Sequence, residues 1–276
     1  MRAFLHETAS RAAAKVRPLR NRRFRTALRQ DPAAPAVLLS PHLDDAVLDC
    51  WSVLTDPGAV RVVNVFAAVP APGPRAHFER LAGAPDSAAH MRRRIAEDRE
   101  ALAQADRSPV NLGFLALAHR GARPEPSFAQ IDAAVRAHVG AASRVYAPAA
   151  LGAAHPDHEL VRGYALALAR QRLPVCLYAD LPYCAVYGWP AWVTGAEPDP
   201  HLDVDAYWST SSAGAYCSPA AADVVRLAGP DAAAKLEAMR VYRAEFSVLD
   251  RGPIRQLSNP AIHGFEVFWT APNGTR

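Results

Sequence analysis

The sequence predicts an α/β fold: a Rossmann-like, mostly parallel sheet with helices on both faces. Three observations lead there. Short apolar or β-branched runs recur along the chain, helical stretches separate them, and Pro/Gly-rich breakers mark the junctions. With 276 residues, half of them hydrophobic, the chain is long enough for one large core. Residues 1–30 stand apart as a basic arm, with nine Arg or Lys against one acid, Glu7, a net of +8. Residues 31–276 read as a single α/β domain with a net charge of −4.

The elements follow in order. Asp31-Pro32-Ala33-Ala34-Pro35 breaks the chain, and Ala36-Val37-Leu38-Leu39 is a short buried strand. A helix is expected from Ala46 to Leu54, closed by Asp56-Pro57-Gly58, and a β-branched strand over 61–66. The Pro/Gly-rich stretch 70–85 is long enough for a functional loop. A charged helix over 90–105, a strand or the end of one over 110–115, a helix over 127–140 and a strand over 144–148 come next. Leu160 to Arg170 is helical and 175–179 is a fourth apolar strand. Residues 184–230 carry no clear pattern; a late helix (235–243) and a closing strand (265–269) follow.

Several function classes are excluded or disfavoured. No G-x-G-x-x-G follows the first strand and no G-x-x-x-x-G-K occurs, so neither a dinucleotide nor a P-loop site is signalled. The four cysteines form no C-x-x-C pair, which fits free thiols in a reducing cytoplasm. No apolar run approaches the roughly 18 to 20 residues of a membrane helix, and no secretory signal is expected. Residues 17–25 of the arm hold one aromatic, Phe24, so nucleic acid is a disfavoured partner. Only Lys15 and Lys235 stand against many arginines and alanines, a bacterial, GC-rich bias. Homo-oligomerisation is left open.

In an open α/β sheet, ligands bind beyond the carboxyl ends of the strands. Two polar clusters fall there. His42-Leu43-Asp44-Asp45 follows the first strand, and His155-Pro156-Asp157-His158 follows the strand at 144–148. Singly, each has an ordinary explanation, an Asp helix cap or a strand-end histidine. Together they supply the two histidines and one carboxylate that a catalytic zinc needs while keeping a position open for water. His42 and Asp45 can converge on one ion, with either His155 or His158 as third ligand and the other left for acid–base work. His77, His90, His119, His138 and His201 lack such company; His263 is a spare candidate.

Ser40-Pro41-His42-Leu43-Asp44-Asp45-Ala46 resembles the P-H-P-D-D-E signature of the PIG-L / LmbE-like family of zinc-dependent N-deacetylases, and Ala154-His155-Pro156-Asp157-His158 resembles its second motif, H-P-D-H. Tyr178–Tyr183 and Lys235–Arg243 are similar to later family segments, so the resemblance spans roughly residues 36–270. It implies a Rossmann-like fold and hydrolysis of an acetamide on an amino sugar or glycoconjugate. It also implies Zn²⁺ held by His42, Asp45 and His158, with Asp44 as general base. His155 would stabilise the oxyanion and protonate the leaving amine, oriented and kept cationic by Asp157. Arg75, Asp180 and Tyr183 are expected to line the sugar site. Three departures stand out: Ala46 replaces the signature's Glu, Trp51 and Ser52 replace small residues, and Gly152-Ala153-Ala154 offers no tyrosine where some relatives have one. The alternatives are a non-haem iron oxygenase, with Asp44 in a two-His, one-carboxylate triad, and a non-catalytic binding protein acting through its arm.

Overall fold

The computed structural model describes residues 35–73, 76–140, 142, 144–151, 155–209, 217–250 and 255–272. The basic arm and Arg75 lie outside the described residues. Seven strands form one sheet in the order β3-β2-β1-β4-β5-β7-β6. They are β1 (Ala36–Ser40), β2 (Val60–Asn64), β3 (Pro109–Asn111), β4 (Arg144–Pro148), β5 (Val175–Tyr178), β6 (Asp223–Arg226) and β7 (Phe265–Thr270). The first five pair in parallel, and β7 runs antiparallel to both β5 and β6. The α/β expectation holds.

Every residue of β1 is buried, because the strand lies mid-sheet beneath helices on both faces. The chain leaves β1 towards β2 and β3 on one side, then returns to build β4 and β5 on the other. The β1/β4 junction is therefore the topological switch point, where a crevice opens at the strands' carboxyl ends. Both polar clusters begin there.

Local chemistry shifts several boundaries. The helix expected over 46–54 is two short helices, Asp45–Asp49 and Trp51–Leu54, broken at Cys50. The second starts where the Glu266 carboxylate accepts the Trp51 and Ser52 N–H groups at 2.7 and 3.0 Å. The helix expected from Leu160 begins at Pro156, with proline at its first position and His155 as N-cap. The unassigned stretch holds short helices and β6. Trp189, Trp192, Trp208 and Trp269 pack together at centroid distances of 5.5 to 6.5 Å over the antiparallel end of the sheet. Among the described residues no helix is long and apolar enough to cross a membrane.

Candidate metal centre and active site

The turn after β1 is closed by its own side chains. Ser40 Oγ donates to the His42 carbonyl at 2.6 Å and accepts the Ala46 N–H at 3.1 Å. The His42 N–H donates to Asp45 Oδ2 at 2.7 Å. Asp44 occupies the N-cap position without capping; its carboxylate turns instead to Arg94, 3.3 Å away on the helix Ser87–Ala103. The capping explanation for this aspartate therefore fails. On the other side of the switch point, Ala150 holds a left-handed φ of 51° just beyond β4. Arg162 donates to the Ala149 and Ala150 carbonyls. Asp157 and His158, in the first turn of the helix Pro156–Arg170, are fully buried.

Three donors from the two clusters converge. His158 Nε2 lies 3.2 Å from His42 Nδ1, and Asp45 Oδ2 lies 3.7 Å from the His42 atom and 3.5 Å from the His158 atom. A tetrahedral ion with bonds of about 2.0–2.1 Å needs neighbouring donors about 3.3–3.4 Å apart. The triangle fits a zinc-sized cation. The chemistry fits too, since two imidazole lone pairs and a carboxylate oxygen repel at this range and one proton relieves only one contact. A second group, His42, His155 and Asp157, also has donor atoms within 4.8 Å of one another. There, however, Asp157 Oδ1 already lies 2.8 Å from the Arg120 guanidinium, and Oδ2 accepts the Leu117 N–H at 2.9 Å. The first group is the better cation site.

The electrostatics separate the remaining groups. Burial pushes Asp44 up to about 6, against the pull of Arg94. Burial also pushes His155 down to about 4, and the neighbouring His42 adds to that. A standing cationic His155 is thus not what its surroundings favour, and Asp157 does not reverse this. Asp157 Oδ2 is 3.1 Å from His42 Nε2 but 3.7 Å from His155 Nδ1, so its nearer imidazole is His42. The His155 Nδ1 atom accepts the Asp157 backbone N–H at 3.2 Å.

A cavity of about 260 Å³ opens beside the triad, lined by His42, Asp44, Asp45 and His155 among others. Tyr183 lines it, its ring edge-on to His158 at 5.2 Å. Asp180 does not. It is fully buried with its carboxylate 2.8 Å from His158 Nδ1, so the expected sugar contact is corrected. The cavity also brings in residues that sequence reasoning passed over. Arg94 Nε and His90 Nε2 meet Glu245 Oε1 at 3.0 and 2.9 Å, and His119 Nε2 lies 3.3 Å from Glu79 Oε1. His90 and His119, left without company by the sequence, have partners here. For His90 and Arg94 the one sequence signal was an Arg/Glu-rich helix, which also describes a solvated face; His119, on the short helix Leu117–Arg120, carried none.

No family model and no curated protein matches the chain. Solved structures do. The A40926 pseudoaglycone deacetylase Dbv21 is similar at 26% identity and a TM-score of 0.63, covering 89% of this chain and 100% of that one. The zinc-inhibited form of the teicoplanin deacetylase Orf2 is similar at 25% identity and a TM-score of 0.64, with 87% and 99% covered. A deacetylase–teicoplanin complex matches at 25% identity, a TM-score of 0.61 and the same coverage. The two motifs, the switch-point triad and these neighbours agree: the chain shares the fold of solved deacetylases along nearly its whole described length, and its motifs resemble those of the PIG-L / LmbE-like zinc-dependent N-deacetylases.

Proposed function

We propose that this protein is a zinc-dependent hydrolase that removes an N-acetyl group from an amino sugar carried on a glycoconjugate. The observation that carries the reading is the convergence of His42 Nδ1, Asp45 Oδ2 and His158 Nε2 beside a cavity, in a chain whose solved neighbours are deacetylases. A bound zinc would polarise the acyl oxygen and bring water near neutral pKa. The remaining work falls to side chains. Asp44, beside the triad and held at about 6, is largely ionised at neutral pH and takes the proton of the attacking water. Arg94 keeps that carboxylate aimed into the cavity.

Amines leave poorly from amides unless protonated. His155 lines the same cavity and hands a proton to the leaving nitrogen. Because its surroundings hold it near 4, it acquires that proton during turnover rather than bringing one. Tyr183 offers a neutral hydroxyl to the sugar, burial having pushed its pKa far above the ordinary value. At about 260 Å³ the cavity is smaller than the roughly 300–1,000 Å³ that encloses a whole drug-sized ligand. It therefore seats the acetamido sugar end and leaves the aglycone outside. Among the solved neighbours, Dbv21 is an A40926 pseudoaglycone deacetylase and another deacetylase is seen in complex with teicoplanin.

The test is to incubate the zinc-loaded protein with N-acetylated glycosides, glycopeptide pseudoaglycones among them, and to follow acetate and primary amine. Stoichiometric release of both is expected. Oxygen consumption without amine would favour the iron-oxygenase alternative; binding without turnover would favour a non-catalytic protein.

A further inference from the structure

Each imidazole of the triad turns its second nitrogen onto a buried carboxylate, and the two carboxylates are differently furnished. His42 faces the triad with Nδ1 and Asp157 with Nε2, at 3.1 Å. His158 does the reverse, with Nε2 towards the triad and Nδ1 2.8 Å from Asp180 Oδ1. Asp157 is shared, since Arg120 and the Leu117 N–H also hold it. Among the described residues Asp180 has no such competitor: its other oxygen accepts only a long 3.3 Å bond from the Leu151 N–H, and its one ion-pair contact is His158.

The Asp180 backbone is also fixed. Its carbonyl accepts the Cys184 N–H at 2.9 Å, and the next N–H, that of Leu181, donates to Asp49 Oδ1 at 2.8 Å. Asp180 is fully buried, and its short contact is the one to the His158 ring.

Resting on the metal-centre reading above, we infer that Asp180 is the positioning residue for the ligand His158. It accepts the Nδ1–H, fixes the tautomer that leaves the Nε2 lone pair on the triad, and strengthens that nitrogen as a donor. Carboxylates behind ligand imidazoles are worth about 10- to 100-fold in metal affinity. Asp157, its charge divided between His42 and Arg120, does less for His42. The two ligands are therefore unequal, with His158 held more firmly.

The experiment measures zinc affinity by competition with a chromophoric chelator for wild type, Asp180→Asn and Asp157→Asn. Thermal unfolding of the metal-free forms is followed in parallel. Asp180→Asn should weaken zinc by about 10- to 100-fold and Asp157→Asn by less, with both variants folded. Long-range ¹H–¹⁵N spectra of zinc-loaded wild type need no variant and should show opposite tautomers, protonated at Nδ1 in His158 and at Nε2 in His42. Wild-type affinity in Asp180→Asn, with only unfolding changed, would reduce Asp180 to a structural partner and overturn the inference, as would matching tautomers. Acetate release by wild type reports the functional reading separately. An inactive wild type that binds zinc tightly and loses it in Asp180→Asn would sink that reading and leave this one standing.

Discussion

Buried charge is handled in opposite ways at two places on this sheet, its antiparallel end and its central switch point. At the antiparallel end, Lys235 Nζ meets Glu266 Oε1 at 2.8 Å with both side chains fully buried. Every remaining acceptor site of that carboxylate is taken: Oε1 also receives the Trp51 N–H, and Oε2 receives the Ser52 N–H and Oγ. The pair ties β7 to the helix Trp51–Leu54 and to the helix Pro230–Arg240, and neither residue lines the cavity beside the triad. At the switch point, Asp44, Asp45, Asp49, Asp157 and Asp180 are buried within a few turns of one another. Two guanidiniums, Arg94 and Arg120, reach two of these five. Among the described residues Asp49 Oδ2 has no hydrogen-bond partner, and burial together with Asp45 and Asp180 pushes its pKa well up. Fully paired buried charge holds a fold together; under-paired acid marks a place built for something else, here a cation and its chemistry.

That contrast can be broken from either end. The largest effect is expected at Asp44. Asp44→Asn keeps size and hydrogen bonding but cannot take a proton, so turnover should fall by roughly 10²- to 10⁴-fold while zinc content holds. Loss of zinc in Asp44→Asn but not in Asp45→Asn would exchange the roles of the two aspartates.

At the structural end, Lys235→Met leaves Glu266 buried without its cation and should cost about 3–5 kcal/mol in denaturant unfolding. Turnover per folded molecule should be unchanged. A variant as stable as wild type would mean that the three N–H and O–H donors alone satisfy the carboxylate.

A smaller effect concerns pH. Burial raises Asp98 to about 8, while Asp45 and Asp180 outweigh burial to carry His158 up to about 9. Asp49 and Asp180 are also raised. A folded state whose pKa values lie above the unfolded ones holds more protons, so stability falls as pH rises through that window. The metal-free protein should therefore lose stability between about pH 6.5 and 8, and Asp98→Asn should flatten that slope. Titration of thermal unfolding checks it, and a rising slope would contradict it. The smallest effect is expected at the arm: deleting residues 1–30, which carry no candidate ligand, should leave kcat within a few-fold, and a collapse with the fold intact would give the arm a part in the site.

Much of this was legible in the sequence, for identifiable reasons. Four parallel strands announced themselves as β-branched or apolar runs, and the two motifs sat where a parallel sheet puts ligands. β6 was not legible, because Asp223-Val224-Val225-Arg226 offers only two apolar residues. The break at Cys50 depends on a carboxylate 215 residues away from Trp51. The site divides similarly. His42 and Asp45 came from local spacing and the choice of His158 over His155 from the family resemblance, whereas Arg94 and Glu245 reach the cavity from distant parts of the chain. Asp180 was found by position, but whether its side chain faced the sugar or the His158 ring was a question of direction, which spacing does not encode.

The central claim is that one zinc sits among His42, Asp45 and His158. Anomalous diffraction from zinc-loaded crystals at the zinc absorption edge tests it most directly. A single strong peak bonded to His42 Nδ1, Asp45 Oδ2 and His158 Nε2 is the expected result. A peak on His155 and Asp157 instead, or none in the crevice, would contradict the account.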